Sequence, residues 1–283
     1  MEIIKNRKKL QDYIERQKEM GKKIGFAPTM GALHDGHLSL YQKAREENDL
    51  VVSSIFVNPT QFNNAEDLEK YPRTVDRDIE KLKESALVDV VYLPEVEDIY
   101  PEKAKSKSYD FGGIEKEMEG ASRPGHFDGV GTVVEELFRQ VQPDQAYFGE
   151  KDFQQLAIIR ELVRQLKLQI KIIGVPIFRE QHGLAMSSRN ERLTNELKLK
   201  AGKIHETLKW VEESFPKTPL PEIHEKVKEV FENDQDMELE YFIIADENNL
   251  KTATTLEKDK KYRAFIVVVV AGVRLIDNMG LKN

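Results

Sequence analysis

The chain has 283 residues, 40% hydrophobic and 33% charged, which is typical of a globular protein with one large domain or two smaller ones. Its formal net charge of −7 argues against general nucleic-acid binding, which needs a concentrated basic surface, but is compatible with a local basic pocket for one nucleotide. The absence of cysteine excludes disulfides, thiol nucleophiles and thiolate zinc sites.

Apolar runs in the sequence are short. The longest, Phe265–Val273, falls far below the roughly 20 residues that span a bilayer, and the first nine residues carry no signal-peptide pattern. We therefore expect a cytoplasmic protein without a membrane partner.

The first 175 residues alternate between runs rich in β-branched residues and longer amphipathic segments. This alternation is typical of parallel βαβ units and predicts an α/β fold, a Rossmann-like doubly wound parallel sheet. The predicted strands are Ile24–Ala27, Leu50–Val57, Val88–Leu93, Gln145–Phe148 and Ile170–Val175, and the predicted helices are Leu38–Glu47, Val75–Ser85, Gly131–Val141 and Phe153–Leu166. In the last helix, Leu156, Ile159, Val163 and Leu166 recur at helical spacing and should pack on the sheet.

After about residue 175 the sequence becomes rich in Lys and Glu. A helical region, Asn190–Phe215, precedes a proline-marked turn, a second helical stretch and two strand-like runs, Leu239–Ala245 and Tyr262–Val273. We expect two domains: residues 1–178 as the Rossmann-like domain, and residues 179–283 as a smaller α+β C-terminal domain.

The loop after the first predicted strand carries two histidines three residues apart, His34 and His37, at the start of a helix. Unpaired backbone N–H groups and the positive end of the helix dipole favour phosphate there, and imidazoles can donate to phosphate oxygens. Two alternatives remain open from the residues alone. The histidines are ordinary loop and capping residues, or they bind a metal, which the spacing disfavours because zinc helices use His at i and i+4.

A second motif, Ser187-Ser188-Arg189, lies near the predicted domain junction. Two hydroxyls and a guanidinium form a compact set of phosphate donors, although such a sequence before a helix is commonly only an N-cap. Together with the histidine motif it is far more specific.

This pair of motifs resembles the nucleotidylyl-transferase superfamily, whose members act at the α-phosphate of a nucleoside triphosphate. Within it the chain is similar to the pantothenate synthetase (pantoate:β-alanine ligase) family. The blocks that carry the resemblance follow one order along nearly the whole chain: PTMGALHDGHLSL, SIFVNPTQF, YPRT, RPGHFDGV, TVV, PDQAYFGEKDFQQL, GVPIFRE, GLAMSSRN and RLIDN. The segment Glu191–Lys261 matches least distinctly.

The resemblance implies an ATP-dependent condensation of D-pantoate with β-alanine to pantothenate through a pantoyl adenylate, releasing AMP and pyrophosphate. It implies ATP as co-substrate, Mg²⁺ held by the ATP phosphates with no protein metal site, and a homodimer. His37 would be the acid candidate, acting with His34, Lys151 and Arg189 as catalytic residues. The residues implied for ATP binding are Met30, Gly31, Ala32, Leu33, His34, Asp35, Gly36, His37, Gly149, Glu150, Lys151, Asp152, Phe178, Met186, Ser187, Ser188 and Arg189.

By the same resemblance Gln61, Gln155 and Asn58 bind the acid and amine substrates, because an amide both donates to a carboxylate and accepts from a hydroxyl. Tyr71 and Asp78 would shape or cover the acid pocket, and Arg123 and His126 would contact phosphate or support the structure. The long polar segment Thr60–Arg73 suits a mobile cover, and the C-terminal domain would cover the ATP site. Without the resemblance, Lys151 and the glutamines are ordinary surface residues.

Two rival functions share these motifs. An adenylyltransferase that makes a dinucleotide would need extra basic residues for the acceptor phosphate, whereas the NPTQF and DFQQL loops offer neutral amides. A non-catalytic nucleotide sensor on the same fold would not need the full donor set of His34, His37, Lys151, Ser188 and Arg189.

Overall fold

The computed structural model describes residues 1–62, 68–69 and 71–282. Contacts divide the chain into two compact units, Met1–Glu150 with Gln154–Pro176, and Lys151–Phe153 with Ile177–Asn283. The short segment after residue 150 thus belongs to the second unit, which the sequence did not suggest. In the described part of the chain, no helix has both the length and the apolar character that crossing a bilayer requires.

The first unit is built on a parallel sheet of six strands: β1 (Glu2–Ile4), β2 (Ile24–Thr29), β3 (Leu50–Ile55), β4 (Val90–Tyr92), β5 (Gln145–Gly149) and β6 (Lys171–Val175). Their order across the sheet is β1-β4-β3-β2-β5-β6, and every neighbouring pair is parallel. From β2 the sheet continues through β3, β4 and β1 on one side and through β5 and β6 on the other. That reversal of direction is the topological switch point at which doubly wound sheets bind ligands.

Helices connect these strands: α1 (Arg7–Glu19), α2 (Asp35–Glu47), α3 (Val75–Ser85), α4 (Val96–Ile99), α5 (Met118–Ser122), α6 (His126–Val141) and α7 (Phe153–Gln165). A 3₁₀ turn, Pro59–Gln61, follows β3. Successive residues of a strand point to opposite faces of the sheet. Accordingly, Phe26 and Val52 pack with α1, α6 and α7 in one apolar cluster, whereas Ala27 and Val51 pack with α2 and α3 in another.

The predicted doubly wound sheet is confirmed, with differences in detail. The α7 face predicted from its spacing packs as expected, with Leu156 and Ile159 buried. Strand β1 and helix α1 were not predicted, because β1 is only three residues long and α1 buries only Leu10 and Ile14. Helix α6 begins five residues earlier than the predicted start at Gly131, since its first turns contain glycines that lower helix propensity.

The second unit is an α+β arrangement, as predicted. Its antiparallel sheet has the order β7 (Met237–Asp246), β8 (Tyr262–Val270) and β9 (Val273–Leu281). Helices α8 (Asn195–Ala201), α9 (Lys203–Ser214) and α10 (Leu220–Glu232) accompany it, after a 3₁₀ turn at Ser188–Arg192. The run predicted over Tyr262–Val273 corresponds to β8 but extends three residues too far, because Gly272, with φ of +78°, forms the turn between β8 and β9.

Candidate active site

The histidine motif starts directly after β2, at the switch point of the sheet. His34 is the N-cap of α2, and its backbone N–H donates to Nδ1 of His37 at 3.2 Å. The two rings lie with centroids 4.0 Å apart. An imidazole whose Nδ1 accepts a hydrogen bond carries its ring proton on Nε2, so His37 is neutral in this arrangement and presents Nε2–H as a donor.

The turn before the histidines is held by a buried carboxylate on α3. Asp78, only 1% exposed, accepts hydrogen bonds from the backbone N–H groups of Ala32 at 2.9 Å and Leu33 at 2.8 Å. Gly31 has φ of +84°, and a Cβ there would lie 3.0 Å from Asp78 Oδ2 and 3.1 Å from Ile55 Cγ2. The sequence suggested that Asp78 shapes the acid pocket. In the structure it fixes the backbone of the predicted nucleotide loop.

Gln61 ends the 3₁₀ turn after β3 and is joined to two other predicted site residues. Asn58 Nδ2 donates to Gln61 Oε1 at 3.1 Å, and Gln61 Nε2 donates to Met30 Sδ at 3.1 Å. Gly129 of α6 packs against this turn so closely that a Cβ would lie 2.5 Å from the carbonyl oxygen of Thr60. Met30, Asn58 and Gln61 therefore form one connected group within the first unit.

Arg123 and His126 hold the same turn from the other side. Arg123 Nη2 donates to the Gln61 carbonyl oxygen at 3.2 Å, and His126 Nδ1 lies 2.8 Å from that oxygen. Of the two roles expected for these residues, the structural one accounts for these contacts.

The two glutamines at the start of α7 have different surroundings. Gln154 is buried, and its amide bonds the backbone of Ile114, Glu117 and Glu119. Gln155 makes no side-chain hydrogen bond within the part of the chain that the structure describes, so both ends of its amide are available to a ligand. This contrast agrees with a ligand role for Gln155 rather than for Gln154.

The cover predicted over residues 60–73 is described only in part. Residues 63–67 and 70 lie outside the described residues. Of the remainder, Tyr71 packs its ring edge-on against Phe62, with centroids 5.6 Å apart.

In the second unit, Lys151 and Asp152 follow β5, with Lys151 Nζ 3.8 Å from Asp152 Oδ1. The backbone carbonyl of Lys151 accepts a hydrogen bond from Asn278 Nδ2 at 2.9 Å. Arg263 donates to Asn278 Oδ1 at 2.6 Å and lies over the Phe153 ring, 3.9 Å from its centroid. The strand pair β8 and β9 thus holds the backbone of the predicted lysine loop.

A short antiparallel connection carries the serine and arginine motif. Met186 N–H donates to the Phe178 carbonyl, and Ser187 Oγ caps the following 3₁₀ turn by accepting from the Arg189 N–H at 3.3 Å. The base of this connection is tied to β9, because Arg179 forms two hydrogen bonds, of 2.6 and 3.0 Å, to Asp277. The Phe178 side chain is 42% exposed.

The predicted site residues therefore form two sets, one in each unit. The first unit contributes Met30, Gly31, Ala32, Leu33, His34, Asp35, Gly36, His37, Asn58, Gln61, Gly149, Glu150 and Gln155; the second contributes Lys151, Asp152, Phe178, Met186, Ser187, Ser188 and Arg189.

Several supporting residues were missed by the sequence analysis. Asp277 and Asn278 are buried polar residues of β9, and the adjacent acid and amide within the RLIDN block were a signal that could have identified them. Tyr100 donates to Asn58 Oδ1 at 2.6 Å, and burial raises the pKa of its hydroxyl. Neither Tyr100 nor Gly129 stands out in the sequence, because their partners are distant along the chain.

The donors in each of the two sets suit phosphate better than a metal. Imidazole, ammonium, guanidinium and backbone N–H groups all donate to phosphate oxygens, whereas Mg²⁺ prefers oxygen ligands. Over residues 1–62, 68–69 and 71–282, no group of three His, Asp or Glu side chains is arranged to hold a metal ion.

The chain is similar to known proteins over nearly its whole length. The family model described as pantoate-beta-alanine ligase matches residues 2–280. Pantothenate synthetases from Flavobacterium psychrophilum and Christiangramia forsetii are 52% and 48% identical to this chain, each over 100% of both chains.

Solved structures give the same result. The pantothenate synthetase of Thermus thermophilus is 38% identical, with a TM-score of 0.89 and 99% of each chain covered. The pantoate-beta-alanine ligase of Francisella tularensis, complexed with beta-gamma ATP and beta-alanine, has a TM-score of 0.80 and 38% identity over 99% of this chain and 97% of its own. The chain belongs to the pantoate-beta-alanine ligase family.

Proposed function

We propose that this protein is an ATP-dependent ligase that condenses D-pantoate with β-alanine to give pantothenate, AMP and pyrophosphate. The observation that carries the proposal is the family match over residues 2–280, with the histidine turn at the switch point of the sheet. The relative from Francisella tularensis, complexed with beta-gamma ATP and beta-alanine, supports two of the substrates.

The reaction proceeds in two steps. A pantoate carboxylate oxygen attacks the α-phosphorus of ATP, the bond to the bridging oxygen breaks, and pyrophosphate leaves. The β-alanine amine then attacks the acyl carbon of the pantoyl adenylate, loses a proton, and AMP leaves. Formation of the mixed anhydride turns an unreactive carboxylate into a good acyl donor.

In the first step the protein supplies charge stabilisation and alignment. Nε2–H of His37 donates to an oxygen of the reacting phosphate as negative charge accumulates, and His34 assists beside it. Lys151 contributes a point charge at the α-phosphate, while Ser188 and Arg189 bind the triphosphate tail. The hydrogen bonds that fix the Ala32–Leu33 backbone, the Lys151 carbonyl and the Ser187 cap support this assignment.

Mg²⁺ would be held by the ATP phosphates rather than by protein side chains, and it would supply neutralisation of the phosphate charge. Most of the polar groups assigned to ATP are hydrogen-bond donors, and Asp35, Glu150 and Asp152 are the only carboxylates among them. This composition supports binding of the metal ion through the phosphates rather than through protein side chains.

The acid substrate is held by Gln61 and Gln155, and Asn58 shapes the pocket through its hydrogen bond to Gln61. The connected group of Met30, Asn58 and Gln61 supports this role, as does the Gln155 amide, which has no hydrogen-bond partner among the described residues. The remaining assignments are that residues 179–283 form a domain that covers the ATP site, that residues 60–73 close over the adenylate, and that the protein is a cytoplasmic homodimer. Light scattering of the purified protein tests the dimer, and limited proteolysis with and without ATP plus pantoate tests closure.

The decisive experiment incubates the protein with ATP, Mg²⁺, D-pantoate and β-alanine, omits one component at a time, and measures AMP and pantothenate. Both products should form in equal amounts only in the complete mixture. Transfer of AMP into a dinucleotide without free AMP would identify the rival adenylyltransferase. Tight ATP binding without turnover would identify the sensor.

A further inference from the structure

A chain of three buried side chains lies behind the predicted acid site in the first unit. Tyr100, Asn58 and Gln61 are 5%, 1% and 8% exposed. They are linked in series: the Tyr100 hydroxyl donates to Asn58 Oδ1 at 2.6 Å, and Asn58 Nδ2 donates to Gln61 Oε1 at 3.1 Å. Tyr100 immediately follows α4, 42 residues after Asn58, so the fold rather than the local sequence brings the two together.

Two backbone groups fix which end of the Asn58 amide faces which partner. Asn58 Nδ2 lies 3.1 Å from the Gly129 carbonyl oxygen, which can only accept a hydrogen bond. Asn58 Oδ1 lies 3.4 Å from the Thr60 backbone nitrogen, which can only donate. Rotation of the amide by half a turn would place its NH₂ group against the Thr60 N–H and its oxygen against the Gly129 carbonyl oxygen. The second Nδ2–H of Asn58 must therefore point at Gln61.

This orientation determines what Gln61 can offer a ligand. Its Oε1 is engaged by Asn58, so the amide presents Nε2 on its other side. There Nε2 meets Met30 Sδ at 3.1 Å, and a thioether is a weak acceptor. A carboxylate oxygen is a much stronger acceptor and would take over this N–H when the substrate binds.

The Tyr100 hydroxyl lies at the opposite end of this hydrogen-bonded series from Gln61. Besides donating to Asn58 Oδ1 it lies 2.9 Å from Thr60 Oγ1, so it joins two residues of the connection that leads to Gln61. Burial raises the pKa of Tyr100, which keeps the hydroxyl protonated and able to donate at neutral pH.

We infer that Tyr100 is a positioning residue for the acid substrate: through Asn58 it holds the Gln61 amide so that Gln61 presents Nε2–H to an acceptor oxygen of that substrate. The inference deepens the proposed function and rests on it. It narrows the role of Gln61, because an amide held in this way turns its Oε1 towards Asn58 and presents its Nε2–H on the other side.

The test compares two conservative variants of buried tyrosines in the same apolar cluster. Tyr100→Phe removes the hydroxyl that holds Asn58. Tyr92→Phe is the matched control, because its fully buried hydroxyl donates to Gln140 Oε1, also at 2.6 Å, away from Gln61. We expect Tyr100→Phe to raise KM for pantoate about 3- to 10-fold, the effect of one lost hydrogen bond, with KM for ATP changed less than about 2-fold. Tyr92→Phe should leave the ratio of the two KM values as in the wild type.

A second variant reverses the hydrogen-bond polarity at Asn58 and keeps the shape of the side chain. Asn58→Asp replaces Nδ2 by an acceptor, which would oppose the Gly129 carbonyl and force Gln61 to turn its Nε2 inward. The pantoate KM should then rise by about 10-fold or more, while ATP binding persists. A normal pantoate KM in Asn58→Asp overturns the inference even where Tyr100→Phe does not fold.

Failure of the inference is distinguishable from failure of the proposed function. If the wild-type protein makes no pantothenate from its three substrates, the function itself is wrong. If the wild type is active and Tyr100→Phe has the same pantoate-to-ATP KM ratio as Tyr92→Phe, Tyr100 has only a packing role.

Discussion

Replacement of Gly129 by alanine tests whether the close approach of α6 to the 3₁₀ turn positions the acid site. A Cβ at this position would lie 2.5 Å from the Thr60 oxygen, 2.7 Å from the Thr60 carbonyl carbon and 2.8 Å from Gln61 Cα. Ordinary contact begins at 3.4 Å, so the shortest distance is 0.9 Å too small. All three are backbone atoms, and therefore the turn must move rather than a flexible side chain.

The magnitude follows from two opposing effects. Alanine favours a helix over glycine by about 1 kcal/mol, whereas overpacking against backbone costs about 1–3 kcal/mol. We expect a net loss of roughly 0–2 kcal/mol in the free energy of unfolding. Because a displacement of about 1 Å in a substrate-positioning group costs up to about 10²-fold, kcat/KM for pantoate should fall by about 10- to 100-fold.

The assay is pantothenate formation with pantoate and ATP varied separately, alongside urea denaturation. Gly131→Ala is the control, because it makes the same change about half a turn further along α6 but meets only side-chain atoms of Tyr109 and Phe111, at 3.0 and 3.1 Å. The reasoning is refuted if Gly129→Ala keeps normal kinetics for pantoate, or if Gly131→Ala shows the same selective loss.

Three further predictions concern other parts of the molecule. His37→Ala should lower pantoate-dependent exchange of pyrophosphate into ATP by about 10² to 10³, with ATP affinity little changed, and near-normal exchange would remove His37 from the chemistry. Asp78→Asn places an NH₂ group against a backbone N–H of the Ala32–Leu33 turn, which should cost about 1–3 kcal/mol of stability. Because this turn is assigned to ATP, KM for ATP should rise more than KM for pantoate. Equal changes in both KM values would count against this role. Burial lowers the pKa of His224 below 6.5 in the folded state, so the unfolded chain binds more protons near that pH and stability falls as pH drops through 6.5. His224→Gln should therefore weaken the fall in the urea midpoint between about pH 7.5 and 5.5, and an unchanged fall would contradict the burial argument.

The parallel sheet was predictable because its strands are buried on both faces and appear in the sequence as continuous apolar runs. Leu50–Ile55, for example, is buried at every position. The edge strand β1 was not predictable, since a three-residue strand with one buried side chain leaves no pattern. Strand β9 was missed because polar residues, including Asp277 and Asn278, interrupt its apolar alternation.

The candidate site was predictable where its residues form local motifs. His34 and His37 lie within one helical turn, so their shared position follows from helix geometry. The supporting residues are not local: Asp78 is 46 residues from Ala32, and Arg179 is 98 residues from Asp277. Such pairs depend on the topology of each unit, which spacing along the chain does not encode.

In the proposed reaction the carboxylate of pantoate is activated as an acyl adenylate. This activation is tested most directly with pantoate labelled with ¹⁸O in its carboxylate, converted by the protein in the presence of ATP, Mg²⁺ and β-alanine. Attack on the α-phosphorus followed by displacement by the amine must leave one labelled oxygen in AMP, and mass spectrometry of the AMP should find it. Unlabelled AMP, or label found instead in inorganic phosphate with release of ADP, would contradict the account.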